Sequence, residues 1–327
     1  MSSAPTTLSP LPAEPRAELE AMAPRPPSVL RRLRRDRFAV AGAIGLVVML
    51  IVALIAPLVA SWTGHPPNTS FVSQGLDVNG LPKGPNGDFL FGSDLAGRDV
   101  FVRTFYGART ALVIGLVATS LSMIIGVTIG LLAGYLGGIA DTILSRVIEL
   151  FFVLPVLVLA LGLASACGGP EGCVGGAVRP GVPFVCLVIG LSTWPYTARV
   201  VRAEALALRD REFIAAARLM GFGPTRILVR EVLPNILPTV IVLTVILMPG
   251  IILYEAALAF LGIGSSETVS WGNLLGQARQ VFPAGWWLLL FPGLFLSLTV
   301  FAANLLGEGI GDALDPKHTT DVAGGHA

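Results

Sequence analysis

From Phe38 to Ala60 the chain reads FAVAGAIGLVVMLIVALIAPLVA, about 23 apolar residues without one charged side chain. About 20 such residues in a helix cross the hydrocarbon core of a bilayer. RRLRRDR, at 31–37, stands directly before it. A basic cluster ahead of an apolar run also marks a signal peptide, but this run is too long for the apolar part of one. The stretch therefore predicts a transmembrane helix with its amino end in the cytoplasm. Five more apolar runs follow, at about 108–134, 142–166, 182–203, 236–262 and 286–307. Charged residues make up 13% of the chain, against about 25% in soluble domains, and the mean hydropathy is +0.76. The expectation is an all-α integral membrane protein of six transmembrane helices, with both chain ends on one side.

Lysines and arginines concentrate on the cytoplasmic side of membrane proteins. With the arm, the 135–146 turn, the 199–230 stretch and the tail inside, only Lys83, Arg98, Arg103, Arg109, Arg179 and Arg279 lie outside. The opposite orientation inverts that bias. Residues 1–30, rich in Pro, Ala and Glu, read as a disordered cytoplasmic arm. Residues 31–317 form the transmembrane domain, and 318–327 a cytoplasmic tail. HPPN, LPKGPNG and FGSDLAGRD mark turns in an outer loop from Trp62 to about Thr104. Gly126, Gly130 and Gly134 repeat at four-residue spacing, which lets helices pack closely in lipid. Pro155, Pro195, Pro249 and Pro292 lie in or beside spans, where proline kinks a helix.

Several chemistries are excluded. The two lysines, Lys83 and Lys317, do not follow glycine, so the chain has no Gly-Lys-Ser/Thr loop to cradle nucleotide phosphates. If ATP drives this protein, the ATPase is another polypeptide. His65, His318 and His326 have no metal-site spacing, so no metal or other cofactor is expected in this chain. No G-x-S-x-G nucleophile motif appears, and no basic patch interleaved with aromatics points to nucleic acid.

One polar-to-amphipathic insertion interrupts the apolar runs: RDREFIAAARLMGFGPTRILVREVLP, from Arg209 to Pro234. Phe213, Ala216, Ala217 and Met220 recur at i, i+3, i+4 and i+7, one face of a short helix. Asp210 is the expected cap of its start, and Glu212 sits where a negative charge suits the helix dipole. Gly221 is the expected left-handed stop. The middle is small (Ala215, Ala216, Ala217) and the flanks are charged (Arg211, Glu212, Arg218). Small residues admit another backbone and charges pair at a rim, so the stretch reads as a docking element for a partner protein.

This stretch resembles the cytoplasmic signature loop of permease subunits of bacterial ABC importers. There, Glu-Ala-Ala is followed after three residues by glycine and nine residues later by a hydrophobic-x-Leu-Pro ending. Ala216 and Ala217 match the alanines, Gly221 the glycine, and Leu233 and Pro234 the ending. Ala215 stands where the family has glutamate, and Glu231 where it has isoleucine. Other blocks resemble the dipeptide/oligopeptide/nickel branch, and its C-type permease in particular. They are FGSDLAGRDVFVRTFYGARTAL (91–112), WPYTARVVRAEALALRDREF (194–213), EAALAFLGIG (255–264), SWGNLLG (270–276) and NLLGEGIGDALDPK (304–317).

The resemblance implies a type I ABC importer permease fold and a cytoplasmic coupling loop over about 204–235. It also implies two permease subunits (a heterodimer with a homologous second one), two cytoplasmic ATPases that bind ATP and Mg, and an extracytoplasmic solute-binding protein. In that setting Arg211, Glu212, Phe213, Ala215, Ala216, Ala217, Arg218, Met220 and Gly221 couple the permease to the ATPase. Peptides are the expected cargo, with nickel or a nickel chelate as the alternative. An ion-gradient-driven secondary transporter is the reading of another class.

Polar residues within spans face protein or water rather than lipid. Glu149, Glu255 and Asn304 are candidates for the solute path; Glu149 also stands at i+3 from Arg146, in pairing position, and hydrogen bonding between helices is the other role for Glu255 and Asn304. Cys167 and Cys173, in ACGGPEGCVGG, are expected to form a disulfide on the oxidising outer side.

Overall fold

The computed structural model describes residues 29–167, 181–263 and 268–314. Among these there is no strand, only two isolated bridges, Leu76 with Pro82 and Ser93 with Asp99. A short basic helix, α1 (Val29–Arg35), leads into α2 (Arg37–Thr63). Asp36 separates them, and its carboxylate accepts the Phe38 N–H at 2.8 Å, satisfying one donor of the new helix. Val29 and Leu30 are thus helical, inside the stretch expected to be a disordered arm; the remainder of that arm and the expected tail lie outside the described residues.

The inward stripe of α2 is small (Ala39, Gly42, Ala53, Ala56), broken only by Met49. Outward it presents Ile44, Val47, Leu50, Ile51, Leu54 and Leu58. A helix apolar all round belongs in lipid. The stripe packs on α10 (Trp287–Leu314), where a Cβ on Gly42 would stand 2.6 Å from the Ala302 carbonyl oxygen. Gly309 of α10 meets Ala39, so α2 starts where α10 ends.

The second span, α3 (Val100–Leu136), is 37 residues long. It exceeds the expected 108–134 because Asp99 caps it early, accepting the Phe101 N–H at 2.8 Å. The loop expected on the outer side therefore ends before Val100 rather than near Thr104. At 1.5 Å per residue α3 is about 55 Å long, so it projects well beyond a core of about 30 Å. It lies along α6 (Val182–Arg209). Cβ atoms at Gly126, Gly130 and Gly134 would each come within 2.6 Å of α6, at Thr197, Ala198 and Ala205 respectively. The glycine ladder is what lets the two backbones approach.

The third span departs from a single helix over 142–166. It is two helices, α4 (Gly138–Val153) and α5 (Val156–Cys167), bent by 91° at the break. Pro155 has no N–H for the ladder and drives the preceding residue out of the helical region; Leu154 is extended, at φ −72° and ψ 124°.

The expected coupling loop over 204–235 is almost entirely helical. α6 runs on to Arg209, α7 spans Glu212–Leu219, and α8 starts at Pro224 and continues to Phe260 with a π-helical stretch at Leu228–Val232. An amphipathic helix, α9 (Trp271–Val281), precedes α10. Among the described residues five helices are long and apolar enough to cross a membrane, and the bent pair makes a sixth if it is one span. Gly137, closing α3, abuts the Arg209 guanidinium at the end of α6. α7 therefore sits at the same end of the bundle as the start of α2 and the end of α10.

Candidate functional site

α7 is seated by a cluster that joins four helices. Ile214 and Ala217 enter it from α7, Leu131 and Tyr135 from α3, Val201 and Ala205 from α6, and Ile227, Val232 and Ile236 from α8. Ile214 is 0% exposed. Burying such a side chain is worth about 1.5–3 kcal/mol, enough to hold a helix of eight residues that would be marginal by itself.

The termination is a Schellman motif. The Gly221 N–H donates to the Arg218 carbonyl at 2.9 Å and the Phe222 N–H to the Ala217 carbonyl at 3.2 Å, the paired bonds that define it. Gly221 has φ 77°, the left-handed region where only glycine is free of Cβ strain. Phe222 then packs on the cluster that contains Ala217, and the Arg226 guanidinium lies 3.8 Å from the Phe222 ring centroid.

The face turned away from the bundle is apolar at its centre. Leu219 is 90% exposed and Met220 64%, and Phe213 and Ala216 are exposed beside them. Arg211, Glu212, Ala215 and Arg218 are exposed at the flanks, with the Arg218 guanidinium 5.4 Å from the Tyr135 ring centroid. An unpartnered apolar face rimmed by charge is the anatomy of an interface.

The structure divides the residues that the sequence grouped on one face. Phe213, Ala216 and Met220 point outward together, but Ala217 turns inward with Ile214. Ile214 and Leu219 were not singled out by the sequence reading. They fall at i+1 and i+6 from Phe213, off the stripe that the spacing marks, and periodicity does not say which face meets the bundle. Asp210 does not cap α7; it closes α6, and Arg211 occupies the N-cap with no side-chain hydrogen bond. Leu233 and Pro234 do not end a loop: they lie within the helical run of α8, Leu233 half-buried against the α7 cluster and Pro234 exposed.

The remaining candidates are scattered. Glu149 pairs with Arg146 at 2.8 Å on the exposed face of α4. Glu255 is 3% exposed, hydrogen-bonded by Ser270 ahead of α9. Asn304 is exposed on α10. Cys173 and the loop around it lie outside the described residues, as therefore does the expected disulfide. Cys186 is buried and free, and no cluster that would hold a metal ion occurs among the described residues.

At the opposite end, the loop over 64–99 is built rather than loose. The Asp94 carboxylate accepts the Ala96 and Arg98 N–H groups, each at 2.9 Å, and Arg98 Nε at 2.8 Å. Arg103 Nε lies 3.4 Å from it, and Arg103 Nη1 donates to the Pro67 carbonyl at 2.7 Å. His65 Nδ1 is 2.7 Å from Asp99. Burial pushes the Asp99 carboxyl above its ordinary value, against the lowering pull of His65 and the Phe101 N–H.

Residues 126–320 match the family model described as "Binding-protein-dependent transport system inner membrane component", and 28–76 match "N-terminal TM domain of oligopeptide transport permease C". Among curated relatives, the chain is 36% identical to the dipeptide transport system permease protein DppC of Bacillus subtilis, over 88% of this chain and 84% of that one. It is 38% identical to a putative peptide transport system permease protein of Brucella abortus, over 88% and 90%. It is 33% identical to the oligopeptide transport system permease protein OppC of Haemophilus influenzae, over 88% and 87%. An inward-facing structure of the MetNI methionine ABC transporter aligns over 64% of this chain and 96% of its own, at 20% identity and a TM-score of 0.48.

Proposed function

Because this chain belongs to the family of binding-protein-dependent transport system inner membrane components, we propose that it is the permease subunit of an ATP-driven importer of dipeptides and oligopeptides. The observation that carries the coupling part of this reading is α7: one side locked into the bundle by Ile214 and Ala217, the other an exposed apolar knob of Phe213, Leu219 and Met220. A rigidly seated knob transmits force; a flexible loop does not.

In this reading α7, both termini and the inner ends of α3 and α6 face the cytoplasm, and the loop over 64–99 faces outward. Two cytoplasmic ATPases hold ATP and Mg, and one of them grips α7. A homologous second permease completes the pore as a heterodimer in the lipid bilayer, and a solute-binding protein delivers peptide from outside. ATP favours the closed ATPase pair, which draws the docked helices together and rocks the bundle between inward- and outward-facing states. This is a two-state switch biased by differential affinity.

The test is uptake of labelled dipeptide by proteoliposomes holding the assembled transporter and its binding protein. Uptake that requires both ATP and the ATPases is the expected result. Uptake driven by an ion gradient without them overturns the reading.

A further inference from the structure

α4 and α6 enclose a cavity of about 330 Å³ whose charged lining is Glu149, Arg199 and Arg202. A second, of about 360 Å³, shares Phe152 and Val153 with it and continues past Ser192, Thr193 and Tyr196 to Tyr254. The two adjoin at Phe152 and Val153, and taken together they make a groove along α6 past the break between α4 and α5. Between Ser192 and Arg202 it covers about 15 Å of helix.

The charges along this groove do not balance. Arg202 is held by Asp141 through two bonds, at 2.7 and 3.0 Å. Glu149 is held by Arg146 at 2.8 Å. Arg199 has neither: its guanidinium stands 5.1 Å from the Phe152 ring centroid, and no described carboxylate reaches it. One exposed cation is left over. It lies ten residues before Arg209, about 15 Å along the helix from that end of the bundle. Hydrocarbon does not accept an exposed guanidinium, so this face meets water or protein. By contrast, the outward face of α2 is apolar throughout, from Ile44 to Leu58, as a lipid-facing surface is.

We propose that the groove is a peptide-binding site within the permease, and that Arg199 binds the terminal carboxylate of the peptide passing through. This rests on the peptide-importer reading above. A guanidinium presents paired donors that match a carboxylate, and every peptide with a free C-terminus supplies one, whatever its side chains. An extended chain advances about 3.3–3.6 Å per residue, so the groove holds roughly four residues. Ser192, Thr193 and Tyr196 line the part that would carry the backbone. Ser192 and Thr193 are buried and donate to their own helix, to the carbonyls of Val188 and Ile189, so the exposed Tyr196 is the hydroxyl left to meet a peptide backbone.

The test is direct binding of radiolabelled dialanine and dialanine amide to the assembled transporter in nanodiscs, without its binding protein. The unaltered complex binds the acid at least about tenfold more tightly than the amide. Arg199→Gln binds both at the level of the amide, and Arg199→Lys retains part of the preference. Equal binding of acid and amide by the unaltered complex overturns the proposal, as does an unchanged preference in Arg199→Gln. An Arg199→Gln chain that no longer co-purifies with the second permease assigns this arginine to the subunit contact and also overturns it. Uptake of dialanine by the unaltered complex, measured alongside, tests the importer reading separately.

Discussion

The indole N–H of Trp287 donates to the carbonyl of Ser93 at 2.9 Å across 194 positions of sequence, tying the loop over 64–99 to the start of α10. Trp287 is buried, and a Cβ on Gly92 would stand 2.7 Å from its indole nitrogen. The loop is thus clamped onto the last span by one side chain. The Ser93 hydroxyl continues the clamp inward, donating to the Gly75 carbonyl at 2.5 Å.

Replacing Trp287 by Phe leaves the buried Ser93 carbonyl without its donor. An unpaired buried acceptor costs about 1–3 kcal/mol. Hydrogen exchange over 64–99 is expected to quicken by about tenfold or more, with exchange in α7 unchanged. An unaltered loop would show that the clamp holds without this bond.

Gly221 tests the turn that closes α7. A Cβ there meets no neighbour within 4 Å, so the cost of substitution is backbone strain at φ 77°, about 1–2 kcal/mol. Gly221→Asp is expected to reach the membrane at near-normal levels while ATP-dependent uptake is lost. Gly221→Asn, which tolerates the left-handed region better, should retain more transport than Gly221→Asp. The comparison is made by uptake normalised to permease in the membrane.

Leu219 tests the knob itself. Because it is 90% exposed, Leu219→Asp should change the stability of the isolated permease by no more than about 0.5 kcal/mol. The same change is expected to weaken ATPase co-purification by at least tenfold, since burying a charge in an apolar interface without a partner is costly. Ile214→Asp is the contrasting variant: it strikes the buried side, and the chain should fail to accumulate.

Gly130 tests the helix contact on which the groove and α7 both depend. A Cβ there would lie 2.6 Å from the Ala198 carbonyl and 2.9 Å from the Val201 side chain. Gly130→Ala forces α3 and α6 apart at a cost of about 1–3 kcal/mol, and Gly130→Leu is expected to abolish accumulation. Thermal unfolding of the purified permease measures the first, and membrane immunoblotting the second.

Hydropathy and composition determined the class of this protein. Runs of apolar residues long enough to cross a bilayer leave only helices, because lipid offers no partner to an open backbone. The insertion between the fourth and fifth runs, its closing glycine and its charged flanks were also legible, since caps and stops depend on a few neighbouring residues. Tertiary structure decided the rest. Helical periodicity put Phe213, Ala216, Ala217 and Met220 on one face, but only the surrounding helices show that Ala217 turns with Ile214 into the bundle and leaves Leu219 outside. The span that Pro155 breaks by 91° looked continuous because proline marks a bend without giving its angle. The Arg103–Pro67 and Trp287–Ser93 bonds and the unmatched charge of Arg199 were hidden for the same physical reason: whether a group finds a partner depends on distance in space, which the order of residues along the chain does not give.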